Sequence, residues 1–107
     1  MFKIFKYPLE VTDTQKLALP AHSEILTVQN QNEQICIWAF VNEEYPQTDV
    51  RKIRIIGTGN PVPKEDTFFK YIGTVQMMEG KLVWHVFEEV DLSAELSTRA
   101  LSGLGLY

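Results

Sequence analysis

Gln34-Ile35-Cys36-Ile37-Trp38-Ala39-Phe40-Val41 constrains this chain more than any other stretch. In an extended strand Ile35, Ile37, Ala39 and Val41 fall on one face, and Cys36, Trp38 and Phe40 on the other. A strand apolar on both faces must be central, covered by a second sheet or a helix. Its β-branched and aromatic content, and the turn residues Asn30-Gln31-Asn32-Glu33 before it, argue for strand over helix.

The flanking segments read as further strands. Residues 2–8 carry Phe2 and Ile4 on one side and Phe5 and Tyr7 on the other, so cover is expected on both faces. Pro8 ends that strand or marks a sheet edge. Val11-Thr12-Asp13-Thr14 reads as a turn, Lys16–Leu19 as a short strand closed by Pro20, and 23–29 as a half-buried strand with Leu26 and Val28 on one face. Asn42–Asp49 is an acidic loop. In Val50–Ile56, Ile53 and Ile55 point inward and Lys52 and Arg54 outward. Tyr71–Met78 and Leu82–Val90 form a hairpin around Glu79-Gly80. Leu82, Trp84 and Val86 share one face of its second arm, and Val83, His85 and Phe87 the other.

After Val90 the pattern changes. Asp91-Leu92-Ser93 offers capping side chains, Leu92, Leu96 and Ala100 follow at helical spacing, and Gly103 is a helix stop. The reading is a mainly β domain over 1–90, a small antiparallel β-sandwich or open barrel of about seven strands. A short C-terminal helix and apolar tail over 91–107 is available for docking or oligomerisation, and a homo-oligomer is expected.

Composition excludes several functions. With 14 acidic and 10 basic residues the net charge is −4, which disfavours duplex nucleic acid. No apolar run approaches the ~20 residues that span a bilayer, and the N-terminus lacks the apolar core of a signal peptide. A cytoplasmic setting is expected, with no membrane partner. The lone Cys36 reads as a small core residue. His22 and His85 lack metal-ligand spacing, so no metal and no cofactor are expected.

Candidate chemistry gathers after the Val50–Ile56 strand. Gly57-Thr58-Gly59-Asn60 offers backbone amides and a hydroxyl that suit a phosphate, ahead of the stiff Pro61-Val62-Pro63. It lacks the Gly-Lys-Ser/Thr of a Walker loop and the third glycine of a dinucleotide fingerprint, and a bare turn needing positive φ is the plainer reading. The connection from Thr58 to Phe69 is about a dozen residues, a length more often functional than a tight turn. Arg51, Lys52 and Arg54, on the outer face of their strand, could clamp phosphates, and Phe68, Tyr71 or Trp84 could stack a base. His85 could act as a base with Glu88 or Asp66, but no spaced nucleophile accompanies it, so catalytic residues are not assigned. The pairs Glu43-Glu44 and Glu88-Glu89 read as solvated acidic faces.

Lys6-Tyr7-Pro8-Leu9, Ile37-Trp38-Ala39, Ile55-Ile56-Gly57-Thr58-Gly59-Asn60-Pro61-Val62-Pro63, Tyr71-Ile72-Gly73-Thr74 and Trp84-His85-Val86-Phe87-Glu88 occur in that order. Together they resemble a family of short phage and prophage-encoded proteins of unknown function, over about residues 2–88. In that family the position of Asn60 is more often His. The resemblance implies a viral origin and an intracellular setting, and brings no catalytic residues.

The functional expectation is a non-catalytic binding protein that counters host defence by sequestering a small nucleotide-type signal. Arg51, Arg54, Thr58, Asn60, Tyr71, Trp84 and His85 are its ligand-binding residues. The alternatives are an inhibitor of a host defence effector or nuclease, a minor virion or regulatory component, or an enzyme such as a phosphodiesterase acting through His85.

Overall fold

The computed structural model describes residues 1–63 and 67–91. Seven strands follow one another: β1 (Phe2–Pro8), β2 (Thr14–Pro20), β3 (Glu24–Gln31), β4 (Gln34–Asn42), β5 (Thr48–Gly57), β6 (Thr67–Met77) and β7 (Leu82–Asp91). They form two antiparallel sheets, one ordered β1-β4-β3 and the other β2-β5-β7-β6. The expected C-terminal helix lies outside the described residues.

β4 is the central strand of its sheet, as its two-faced apolar pattern demands. Ile35, Ile37, Ala39 and Val41 are fully buried: Ile35 and Ile37 meet Ile53, Ile55 and Val86 of the other sheet, and Ala39 and Val41 pack with Leu19 of β2. Burying an isoleucine or valine side chain stabilises the fold by about 1.5–3 kcal/mol. The other face of β4 is only partly covered. Cys36 is buried, but Phe40 is exposed and stacks on Phe2 with ring centroids 4.9 Å apart.

Two expectations about faces are corrected. β1 stands at the sheet edge that Pro8 allowed, but its outer face is uncovered rather than packed, with Phe2 and Ile4 57% and 58% exposed. Apolar groups on both faces of a strand do not by themselves supply cover for both. In β3 the register shifts between Ile25 and Thr27, so a bulge separates Leu26, which is exposed, from Val28, which is buried. A bulge resets the alternation on which the shared face depended.

The hairpin turns follow their local chemistry. Between β3 and β4, Asn32 (φ 53°) and Glu33 (φ 63°) make a two-residue turn with both residues left-handed. Between β6 and β7, Met77 pairs with Leu82 and the turn contains Gly80 at φ 85°. The two tips are fastened together: Met78 N–H donates to Glu33 Oε2 at 3.0 Å, and Asn30 Nδ2 donates to the Gln76 carbonyl at 2.8 Å. Along the same flank Gly73 lies tight against β3, where a Cβ would come 2.8 Å from Val28 Cγ1. The sandwich is thus closed on the β3–β6 side.

Candidate functional site

The pleat of the four-stranded sheet sorts the candidate residues by face. Register places Ile53, Ile55 and Gly57 of β5 opposite Glu88, Val86 and Trp84 of β7, and this face looks into the sandwich. Arg54 and Ile56 oppose Phe87 and His85 on the outer face. Lys16 of β2 pairs with Lys52 beside Arg54, and β6 adds Phe69, Tyr71 and Thr74.

Four outer-face groups form a hydrogen-bonded chain. His85 Nε2 lies 2.7 Å from Thr58 Oγ1 and its Nδ1 lies 2.9 Å from Thr74 Oγ1, which lies 2.5 Å from Tyr71 Oη. Both ring nitrogens are held by hydroxyls, and a hydroxyl can donate or accept, so either neutral tautomer fits. The chain depends on a β6 bulge: the register shifts between Tyr71 and Gly73, which turns Tyr71 to the face of Thr74. Tyr71 also meets Phe87 edge-on with centroids 5.6 Å apart. Thr74 is the residue that sequence reasoning missed. Counting back from the hairpin turn, with Met77 opposite Leu82, places it across from His85.

At the end of β5 a second group converges. Asn60 N–H donates to the Gly57 carbonyl at 3.1 Å and Gly59 takes φ 89°, so residues 57–60 are a tight turn. Thr58 N–H donates to the Val83 carbonyl at 3.3 Å. The amides of Thr58 and Asn60 are therefore spent on the fold, and the expected phosphate cradle of backbone amides is reduced to the Gly59 amide, the Thr58 hydroxyl and the Asn60 side chain. Gly57 lets the Trp84 indole lie across the strand, because a Cβ there would sit 3.2 Å from Trp84 Cζ3 and 3.0 Å from Asn60 Nδ2.

Between this turn and the sheet is a cleft of about 400 Å³, lined by Asp13, Arg54, Ile56, Asn60, Pro61 and Trp84 among others. A neighbouring cleft of about 290 Å³ shares Gly57, Asn60 and Trp84 and adds Thr58 and Lys81. Two buried donors of the larger cleft's lining, Arg54 Nε and Trp84 Nε1, have no hydrogen-bond partner among the described residues. Buried polar groups are nearly always paired, and an unpaired donor costs about 1–3 kcal/mol. Lys16, Lys52, Thr14, Gln15 and Glu89 line a smaller hollow of about 190 Å³ on the same sheet.

Six of the seven expected ligand residues thus lie at this end of the sheet, in two groups: Thr58, Tyr71 and His85 on the hydroxyl–imidazole chain, and Arg54, Asn60 and Trp84 around the cleft. Arg51 does not join them. It shares the inward parity of Ile53, and its guanidinium Nη1 lies 3.0 Å from Glu88 Oε2 while Nη2 donates to the Ser23 carbonyl. The expectation that Arg51 stands with Arg54 on an outer face is corrected, since an odd step along a strand changes face. Glu88 is correspondingly buried rather than solvated, and it faces away from His85, so it cannot partner the imidazole. Asp66 lies outside the described residues.

Among the described residues no cluster of His, Cys, Asp or Glu could hold a metal ion, and no helix is long and apolar enough to cross a membrane. The model of a protein family described as "Domain of unknown function (DUF7352)" matches residues 1–97. No curated protein and no solved structure matches the chain.

Proposed function

The chain belongs to that family of unknown function, and for this member we propose non-catalytic binding of a small nucleotide-type ligand at the prolyl-turn cleft. The observation that carries the reading is one cleft lined by Asp13, Arg54, Asn60 and Trp84, two of whose residues hold a buried donor, Arg54 Nε and Trp84 Nε1, with no partner among the described residues. Arg54 supplies a guanidinium for phosphate. Asp13, in the same lining, accepts from sugar hydroxyls or a base amine. Asn60 offers both donor and acceptor, and the edge-on Tyr71–Phe87 pair beside Arg54 gives a base an aromatic surface.

The biological reading is a phage or prophage-encoded protein that holds a host signalling nucleotide out of circulation. It rests on the sequence resemblance and on a site that needs affinity but no turnover. Isothermal titration against cyclic di- and trinucleotides and cyclic ADP-ribose derivatives tests it. Saturable heat that Arg54→Ala shifts to weaker affinity is expected, and no heat with any of them ends the reading.

A second reading, a protein that inhibits a host effector by contact, is favoured by the exposed apolar groups Phe2, Ile4 and Phe40 on the outer face of β1 and β4. It predicts capture of a host protein by the purified chain, lost when Phe40 is replaced by Lys.

A further inference from the structure

The outer face of the four-stranded sheet carries more positive charge than a single phosphate at Arg54 needs. Lys16 of β2 stands directly opposite Lys52 of β5, and Thr14 stands opposite Arg54 in the next row of the same face. Like charges set directly opposite each other destabilise a ladder, so folding alone gives no reason for the Lys16–Lys52 pair. On the other sheet lysines are matched: Lys3 is ion-paired with Glu43, and Lys6 donates to Gln31 Oε1. None of the ion pairs among the described residues engages Lys16, Lys52 or Arg54. Glu89, opposite Lys52 on β7, brings one carboxylate to two ammonium groups.

Resting on the nucleotide reading of the prolyl-turn cleft, we infer that its ligand carries at least two phosphates, one held by Arg54 and the next by Lys16 and Lys52. The hollow of about 190 Å³ that both lysines line also includes Thr14, the cross-strand neighbour of Arg54, so it adjoins the cleft row by row. Two residues of strand rise set the rows about 7 Å apart. Flexible lysine stems cover that interval, which brings both the linked phosphates of a diphosphate and the more separated pair of a cyclic dinucleotide within reach.

The energetics favour an anion in that hollow. A phosphate there relieves the opposition of the two ammonium groups, and no ion pair among the described residues has to break to receive it. The order along the face also suits such a ligand. Trp84 and Asn60 stand at the turn end, Arg54 follows, and the lysine row lies beyond it.

Calorimetry of the full chain with the 5′-monophosphates and 5′-diphosphates of adenosine, guanosine, cytidine and uridine tests the inference. A diphosphate is expected to bind at least about tenfold tighter than the monophosphate of the same nucleoside, the gain from one added charge-assisted contact. Lys16→Gln with Lys52→Gln keeps most of each stem, removes both charges, and is expected to bind the two nucleotides alike. Lys6→Gln, on the outer face of the other sheet, is expected to keep the preference. Equal affinities in the wild type, a preference that survives the double substitution, or one lost equally with Lys6→Gln overturns the inference and leaves a single-phosphate site at Arg54 standing. No heat with either series also overturns it, and no heat with the cyclic nucleotides as well ends the parent reading too.

Discussion

Arg51 and Glu88 face each other inside the sandwich, with Nη1 3.0 Å from Oε2 and 3.3 Å from Oε1. Their side chains are 19% and 11% exposed, and the same guanidinium reaches the Ser23 carbonyl at the start of the other sheet. A charge pair in this setting matters most when it is broken, because the remaining charge stays behind without its partner. Glu88→Ala is expected to lower stability by about 3 kcal/mol. Arg51→Leu with Glu88→Leu should recover most of that loss, and urea unfolding of the three variants measures it.

Arg54 separates from Arg51 by function as well as by face. Arg54→Ala should leave the urea midpoint close to wild type but weaken binding of any phosphorylated ligand at least about tenfold, the scale of one charge-assisted hydrogen bond. Arg51→Ala should do the reverse. Titration calorimetry and unfolding, run on both variants, separate the two roles.

Thr74 orients His85 through Nδ1. Thr74→Val keeps the β-branched shape and removes the hydroxyl, so the fold should lose no more than about 1 kcal/mol. With Thr58 as its remaining partner, the imidazole should shift its tautomer balance. The ¹⁵N shifts of the His85 ring read this directly, and unchanged shifts would mean the chain of hydroxyls does not set the tautomer.

Gly73→Ala forces a methyl group toward Val28, to within 2.8 Å of Cγ1, at the flank where β3 and β6 close the sandwich. Overpacking of this kind costs about 1–3 kcal/mol. Val28→Ala in the same chain makes room and should restore part of the loss, a coupling that a double-mutant cycle in urea detects.

Burial first, and then the Glu43 carboxylate, push the Tyr7 phenol above its ordinary value of 10.0. The unfolded chain therefore releases this proton at lower pH than the folded one. The stability tied to the neutral phenol is fully present below pH 10 and is lost as pH rises through the folded value. Tyr7→Phe should flatten the alkaline limb of the stability profile without changing its neutral plateau.

What was legible in the sequence was what short-range rules decide. The paired apolar faces of residues 34–41 required a central strand, and Glu79-Gly80 required a hairpin whose register already sets Thr74 against His85. Misread features depended on one-residue offsets or on partners distant in sequence. Bulges at Leu26 and Ile72 shift which side chains share a face, and no residue type marks them. Arg51 resembled Arg54 until Glu88 and Ser23, both far along the chain, supplied an interior reason for its charge. The cleft itself follows from a tertiary approach, since Asp13, Arg54, Asn60 and Trp84 meet only once β2, β5 and β7 lie side by side.

The clasp between Glu33 and Met78 has a kinetic consequence. It fastens together the tips of the two hairpins, the segments that can zip up earliest because their loop-closure entropy is small. The cleft needs β2 and β5, whose pairings span longer loops, so it is completed late. A guest bound there would slow opening of the β5–β7 ladder far more than fraying of the hairpin tips. Amide exchange at Ile55 and Val86, compared with Gly80 before and after ligand addition, would expose that ordering.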